Sequence, residues 1–144
     1  MKEAVMTWEQ LSKQEVGAIL HDVFEEGVRF IVMRGPATLC AYVGIPLEHP
    51  LAGFDYDDLT VRAHGGLTFA RKGESAWPKD FYWYGWDYGH AGDCSFYDDR
   101  FIGTDLENKT DKKWLVEDVV KDSWETIYDF RRLAQLAEKI KRQQ

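Results

Sequence analysis

Residues 81–87, Phe-Tyr-Trp-Tyr-Gly-Trp-Asp, constrain the fold more than any other stretch of the chain. Aromatic side chains packed into so short a run favour a pleated strand. Successive strand side chains point to opposite faces. Phe81, Trp83 and Gly85 therefore share one face, and Tyr82, Tyr84 and Trp86 share the other. Both faces are apolar. That predicts a strand inside a sheet, covered on both sides, or covered on one side and lining a pocket on the other. The run ends in a loop carrying Asp87, Gly89, His90, Gly92 and Asp93. Two carboxylates and an imidazole then sit at the rim of an aromatic wall, an arrangement common in small-molecule sites.

With 144 residues the chain is long enough to bury a core, and it reads as one domain over 1–144. Val16, Ile19, Leu20, Val23 and Phe24 recur at i, i+3, i+4, i+7 and i+8, which predicts a helix stopped by Gly27. Val28–Arg34 and Leu39–Ile45 read as two strands joined by a turn at 35–38. Leu59–Ala63 reads as a third strand, followed by an extended piece at 67–70, and 81–87 is the fourth. Loops are expected at 46–58 and 71–80, with irregular chain at 94–111. From Lys112 to Lys141 the pattern is helical, with Val116, Val119, Val120, Trp124, Ile127, Tyr128 and Ala134 on one side. The expected fold is α+β: an antiparallel sheet of about four strands, with an N-terminal helix and a long C-terminal helix packed on it.

A net charge of −7 disfavours binding to nucleic-acid polymers, which depends on clustered Lys and Arg. No apolar run approaches the roughly 20 residues that span a bilayer. The charged start, MKEAVMTWEQ, does not read as a secretory signal, and two cysteines make no disulfide framework. A cytoplasmic location is expected.

Three constellations carry chemistry. Thr60, Arg62 and His64 would share a strand face beside Gly65-Gly66, whose amides can meet an anion, or the glycines form a β-bulge or tight turn with an incidental histidine. Asp87-x-x-His90-x-x-Asp93 offers three metal-compatible side chains, so a divalent metal is admitted, with His64 as a fourth ligand. His90 beside a carboxylate could equally move a proton, or simply hold a turn. Tyr82, Trp83, Tyr84 and Trp86 could stack on a base, or pack in the core, and Trp77 could form a flap over the same region. Cys94 follows Asp93, and acidic neighbours raise a thiol pKa, so a nucleophilic role is not expected.

The order of motifs resembles that of an uncharacterised family of small phage, prophage and bacterial proteins. The resemblance is carried by YVGIP at 42–46, HPL at 49–51, DYDD at 55–58, HGGLTF at 64–69, WYGWD at 83–87 and HAGD at 90–93. It covers roughly residues 40–93 and the terminal helix, while 94–113 departs from the pattern. It implies a phage-type accessory protein working in the host cytoplasm.

The leading expectation is a counter-defence protein that sequesters a small polar ligand, such as a nucleotide signal. Its site would comprise Arg62, His64, Gly65, Gly66, Tyr84, Trp86, Asp87, His90 and Asp93, and it would need no cofactor. The alternative is a hydrolase of phosphoester or glycosidic bonds that uses His64 and His90 with Asp87 or Asp93, with or without metal. A third is an inhibitor that docks on a host protein. Self-association stays open.

Overall fold

The computed structural model describes residues 5–144, and residues 1–4 of the charged N-terminal segment lie outside the described residues. A five-residue helix, α1 (Trp8–Ser12), begins with a capping box. The Gln10 amide donates to Thr7 Oγ1 at 3.2 Å, and the Thr7 amide donates to Gln10 Oε1 at 2.9 Å. Five antiparallel strands follow: β1 (Ile19–Glu25), β2 (Val28–Arg34), β3 (Leu39–Pro46), β4 (Phe69–Lys72) and β5 (Phe81–Asp87). Their order in the sheet is β1-β2-β3-β5-β4. Short 3₁₀ turns occupy Tyr56–Asp58 and Phe96–Phe101. The chain ends in α2 (Val116–Asp122) and α3 (Trp124–Arg142). The architecture is α+β, with one strand more than the sequence predicts.

Where a helix is expected from Val16 to Phe24, residues 16–17 form a turn and strand β1 begins at Ile19. Glu26 and Gly27 take φ of 50° and 78°, and Glu25 pairs with Val28. Two positive φ values in a two-residue connection suit a tight hairpin whose twist matches its strands. That turn commits the preceding residues to pairing with β2. Val16 and Phe24 stay exposed, so the helical spacing was not a buried stripe.

Leu59–Ala63 is extended but pairs with no strand, and pairing begins only at Phe69. The terminal helix is divided at Ser123, which is fully buried and donates its hydroxyl to the Val119 carbonyl at 2.7 Å. Such back-bonding bends helices. Val119 is buried as expected, but Trp124 and Tyr128 are 61% and 53% exposed, off the packed side.

The central position of residues 81–87 holds, with β5 lying between β3 and β4. Tyr84 and Trp86 join Phe30, Val32, Ala41, Val43, Val119 and Phe130 in the main core under the helices. On the other face Ile31, Met33, Tyr42 and Trp83 form a second core, with Phe69, Trp77 and Phe81 packed against it. Trp77 stacks on Phe69 at 5.2 Å and meets Tyr42 edge-on at 5.6 Å. It therefore caps this second face and not the region following β5.

Gly85 makes the second core possible. It sits between Tyr42 on β3 and Phe69 on β4, whose rings meet over it at 5.3 Å. A Cβ at Gly85 would lie 2.4 Å from the Tyr42 ring.

Candidate functional site

The site forms where β5 runs out. After Asp87 the chain turns through Tyr88 to Asp93, closed by the Asp93 amide donating to the His90 carbonyl at 2.9 Å. Asp93 then pairs with Lys112 in an isolated bridge, with the Lys112 amide donating to the Gly92 carbonyl and the Cys94 amide to the Lys112 carbonyl, both at 2.8 Å. This bridge brings Trp114 beside Asp93. From the opposite side the turn at 63–66 delivers His64, the Gly66 amide donating to the Ala63 carbonyl at 2.9 Å.

Asp93 is the hub. Its side chain is 5% exposed. Oδ2 lies 2.7 Å from His64 Nε2 and accepts the His90 amide at 3.0 Å, while Oδ1 accepts the Trp114 indole N–H at 2.8 Å. Burial alone would raise this carboxyl's pKa. The three donors outweigh burial and hold it below the ordinary aspartate value. An ionised carboxylate only accepts, so His64 Nε2 carries the proton of that bond. Nδ1 is then the atom left to exchange protons, and no hydrogen bond reaches it among the described residues.

Aromatic rings fix the imidazole in place. His64 stacks on Tyr88 with centroids 4.6 Å apart and planes 14° apart, and Trp114 meets it edge-on at 4.9 Å. Tyr88 is fully buried. Its hydroxyl accepts the Trp86 indole N–H at 3.1 Å and donates to Asp122 Oδ2 at 2.9 Å. Burial pushes the Tyr88 hydroxyl pKa up, so it stays a donor at neutral pH. One residue thus supports His64 with its ring and holds Asp122 with its hydroxyl.

His64 opens onto a polar pocket of about 170 Å³ that Arg62, Ala63, Asp122, Glu125 and Thr126 also line. Arg62 and His64 therefore do share a surface, though through the loop and α3 and not a strand. Arg62 is already engaged. Its Nε and NH2 donate to the two Asp129 carboxylate oxygens at 3.0 Å each, and NH1 lies 3.1 Å from Glu125 Oε2. The guanidinium fork expected to meet an anion is spent on α3.

The other expected residues divide. Gly65 has φ of 70°, and a Cβ there would lie 2.1 Å from His90 Nε2. Glycine lets the His90 ring lie against the turn that carries His64. Gly66 also has positive φ, 84°, with open space beside it. His90 Nε2 is 3.4 Å from Asp87 Oδ1, and Asp87 Oδ1 also accepts the Gly89 amide at 3.0 Å. Among the described residues His90 Nε2 thus approaches Asp87 but makes no hydrogen bond, while Asp93 is consumed by His64. Among the described residues no group of three or more His, Cys, Asp or Glu side chains is placed to hold a metal, so the three expected ligands do not converge. Tyr84 and Trp86 are 0% and 1% exposed, and Tyr84 donates to the Phe54 carbonyl at 2.8 Å. These two expected stacking platforms are absorbed by the core, because the helices cover that face of β5.

Sequence reasoning missed Tyr88, Trp114, Asp122, Glu125 and Asp129. Tyr88 and Trp114 stand in plain sight as aromatics, but their role depends on the Asp93–Lys112 bridge. The three acidic residues follow helical spacing (122, 125 and 129), a signal that says neither that Asp122 ends α2 while Glu125 and Asp129 lie on α3 nor what they meet. A larger hollow of about 450 Å³ lies elsewhere, lined by Val5, Met6, Leu20, His21, Val116, Glu117, Val120 and Lys121, and contains none of the expected site residues. Burial and the neighbouring Asp98 carboxylate push the Cys94 thiol up to about 11, consistent with an inert cysteine.

Gly65→Ala tests the contact that seats His90. Strained φ plus displacement of the His90 ring should cost about 1–2 kcal/mol in chemical denaturation. A cost near zero would mean that His90 does not pack on the turn.

Among the described residues no helix is long and apolar enough to cross a membrane. No protein-family model, curated protein or solved structure matches the chain.

Proposed function

We propose that the chain is a hydrolase in which His64 moves the proton. The observation that carries this reading is the His64–Asp93 pair. A buried carboxylate with three donors holds Nε2, and the imidazole is stacked and faces a polar pocket. A positioned, oriented histidine is the commonest proton-transfer group near neutral pH. Asp93 would fix the tautomer and stabilise the imidazolium, and Trp114 would hold Asp93 in register. Sequestration of a nucleotide has less support, since Tyr84 and Trp86 are covered and Arg62 is paired.

The test is turnover of p-nitrophenyl esters, phosphates and glycosides by the parent and by His64→Asn. General acid–base catalysis contributes roughly 100- to 10,000-fold, so kcat should fall by at least about 100-fold in the variant. Its unfolding midpoint should move far less than in variants that lose Asp93. Hydrolysis undiminished in His64→Asn, or no hydrolysis by the parent in any of the three classes, would rule the proposal out.

A further inference from the structure

We infer that the bond this site cleaves is glycosidic, with Asp122 as the carboxylate that activates water; this rests on the proton-transfer reading of His64. The discriminating feature is the charge around the pocket. Asp122 and Glu125 line it, and Asp129 stands behind Arg62. The Arg62 guanidinium commits Nε, NH1 and NH2 to Asp129 and Glu125, and Asp122 adds a further carboxylate to the pocket lining. Arg132 does not line this pocket but an adjoining one, together with Thr60, Arg62, Asp129 and Leu133.

Phosphoryl transfer spreads negative charge over the transferring oxygens, and catalysis depends on cations that neutralise it. Here the nearest cation is engaged, and Asp122 and Glu125 would repel those oxygens. Glycoside cleavage develops positive charge on an oxocarbenium-like sugar, which carboxylates stabilise. The same pocket that opposes one transition state favours the other.

The roles follow from the contacts. Asp122 Oδ2 accepts a hydrogen bond from the Tyr88 hydroxyl, leaving Oδ1 without a partner among the described residues. Tyr88 stacks under His64 and so ties the two groups to one rigid residue. In the step, the bond from the anomeric carbon to the leaving oxygen breaks, and its electron pair stays on that oxygen. The leaving oxygen takes the Nδ1 proton of the His64 imidazolium. A water oxygen bonds to the anomeric carbon and gives its proton to Asp122. Glycoside and water become a hemiacetal and an alcohol, and the Asp122 proton returns to His64 through solvent.

The experiment combines binding and turnover. The His64 ring resonances would be followed by NMR while a cationic iminosugar, an oxocarbenium mimic, is titrated against inorganic phosphate. In parallel, p-nitrophenyl glycosides would be compared with p-nitrophenyl phosphate. The iminosugar should shift the His64 signals, Asp122→Asn should abolish that shift, and phosphate should leave the signals unmoved. Glycoside turnover should fall by at least about 100-fold in Asp122→Asn. Absence of an iminosugar shift, a phosphate-induced shift, or full glycoside turnover in Asp122→Asn would overturn the glycosidic assignment. Ester or phosphate hydrolysis that depends on His64, without glycoside turnover, would overturn it too while leaving His64 as the proton-transfer group.

Discussion

Asp93→Ala should destabilise the protein by roughly 3 kcal/mol or more, because it strips a partner from three buried or half-buried donors at once. The His90 amide, the Trp114 indole and the His64 ring all converge on this one carboxylate, at 2.7–3.0 Å. Removing it leaves no carboxylate to replace them, and water would have to enter beside Tyr88 and Trp114. For a chain of this size the unfolding midpoint should drop by roughly 10 °C. Asp87→Ala is the control, since Asp87 is more exposed, accepts the Gly89 amide and only approaches His90 Nε2 at 3.4 Å; its cost should stay near about 1 kcal/mol. Equal effects from the two substitutions would show that Asp93 is not the hub.

The same carboxylate predicts an acid limb. Its pKa is lower in the folded chain than the ordinary 3.8, so the unfolded state binds a proton first as pH falls. The stabilisation is therefore full above the unfolded value and is lost as pH drops below it through the folded one. Urea midpoints measured from pH 6 down to pH 2 should show this loss in the parent. In Asp93→Ala that component of the slope should be missing.

Trp83→Ala should cost about 3–5 kcal/mol, the range for emptying a large aromatic site in a core. Trp83 is fully buried on the face away from the helices, packs near Phe81 at 5.5 Å, and donates its indole N–H to the Pro78 carbonyl at 2.8 Å. A Cβ on Gly44 would come within 2.7 Å of its ring, so the indole lies flat against the neighbouring strand. Its loss would open a cavity and release the loop that carries Trp77. Trp124→Ala provides the contrast: at 61% exposure it should change stability by less than about 0.5 kcal/mol. Similar costs for both tryptophans would mean that the second face of the sheet is not a packed core.

The element types that were legible share one property, a local signal with only one resolution. Val28–Arg34, Leu39–Ile45 and 81–87 are β-rich runs between turn residues, and each is a strand within a residue of the expected bounds. Val16–Phe24 was ambiguous, because its apolar residues satisfy helical spacing as easily as they serve a half-exposed edge strand. The hairpin at Glu26-Gly27 decided it. α1 was not expected from the sequence: its Thr7-x-x-Gln10 capping box opens a helix of only five residues. Leu59–Ala63 has strand-like composition, yet no neighbouring strand offers it a ladder; its backbone instead meets α3, where the Arg62 amide donates to Asp129 at 2.8 Å.

The candidate site divides in the same way. His64, the paired glycines and Asp93 could be singled out by residue type, though the same residue types also serve as local turn formers. Which partner each one takes was not local. Asp93 sits three residues from His90 but bonds the ring of His64, 29 residues away, and the indole of Trp114, 21 residues away. By itself, then, the sequence determined an α+β chain with an aromatic strand apolar on both faces and a polar turn after it, because strand alternation and turn chemistry are properties of neighbouring residues. Only the tertiary structure decided that Tyr84 and Trp86 belong to the core, that Arg62 is neutralised by α3, and that His64 pairs with Asp93. Those outcomes depend on which face the helices cover and which loops meet at the end of β5, and packing across long sequence separations settles both.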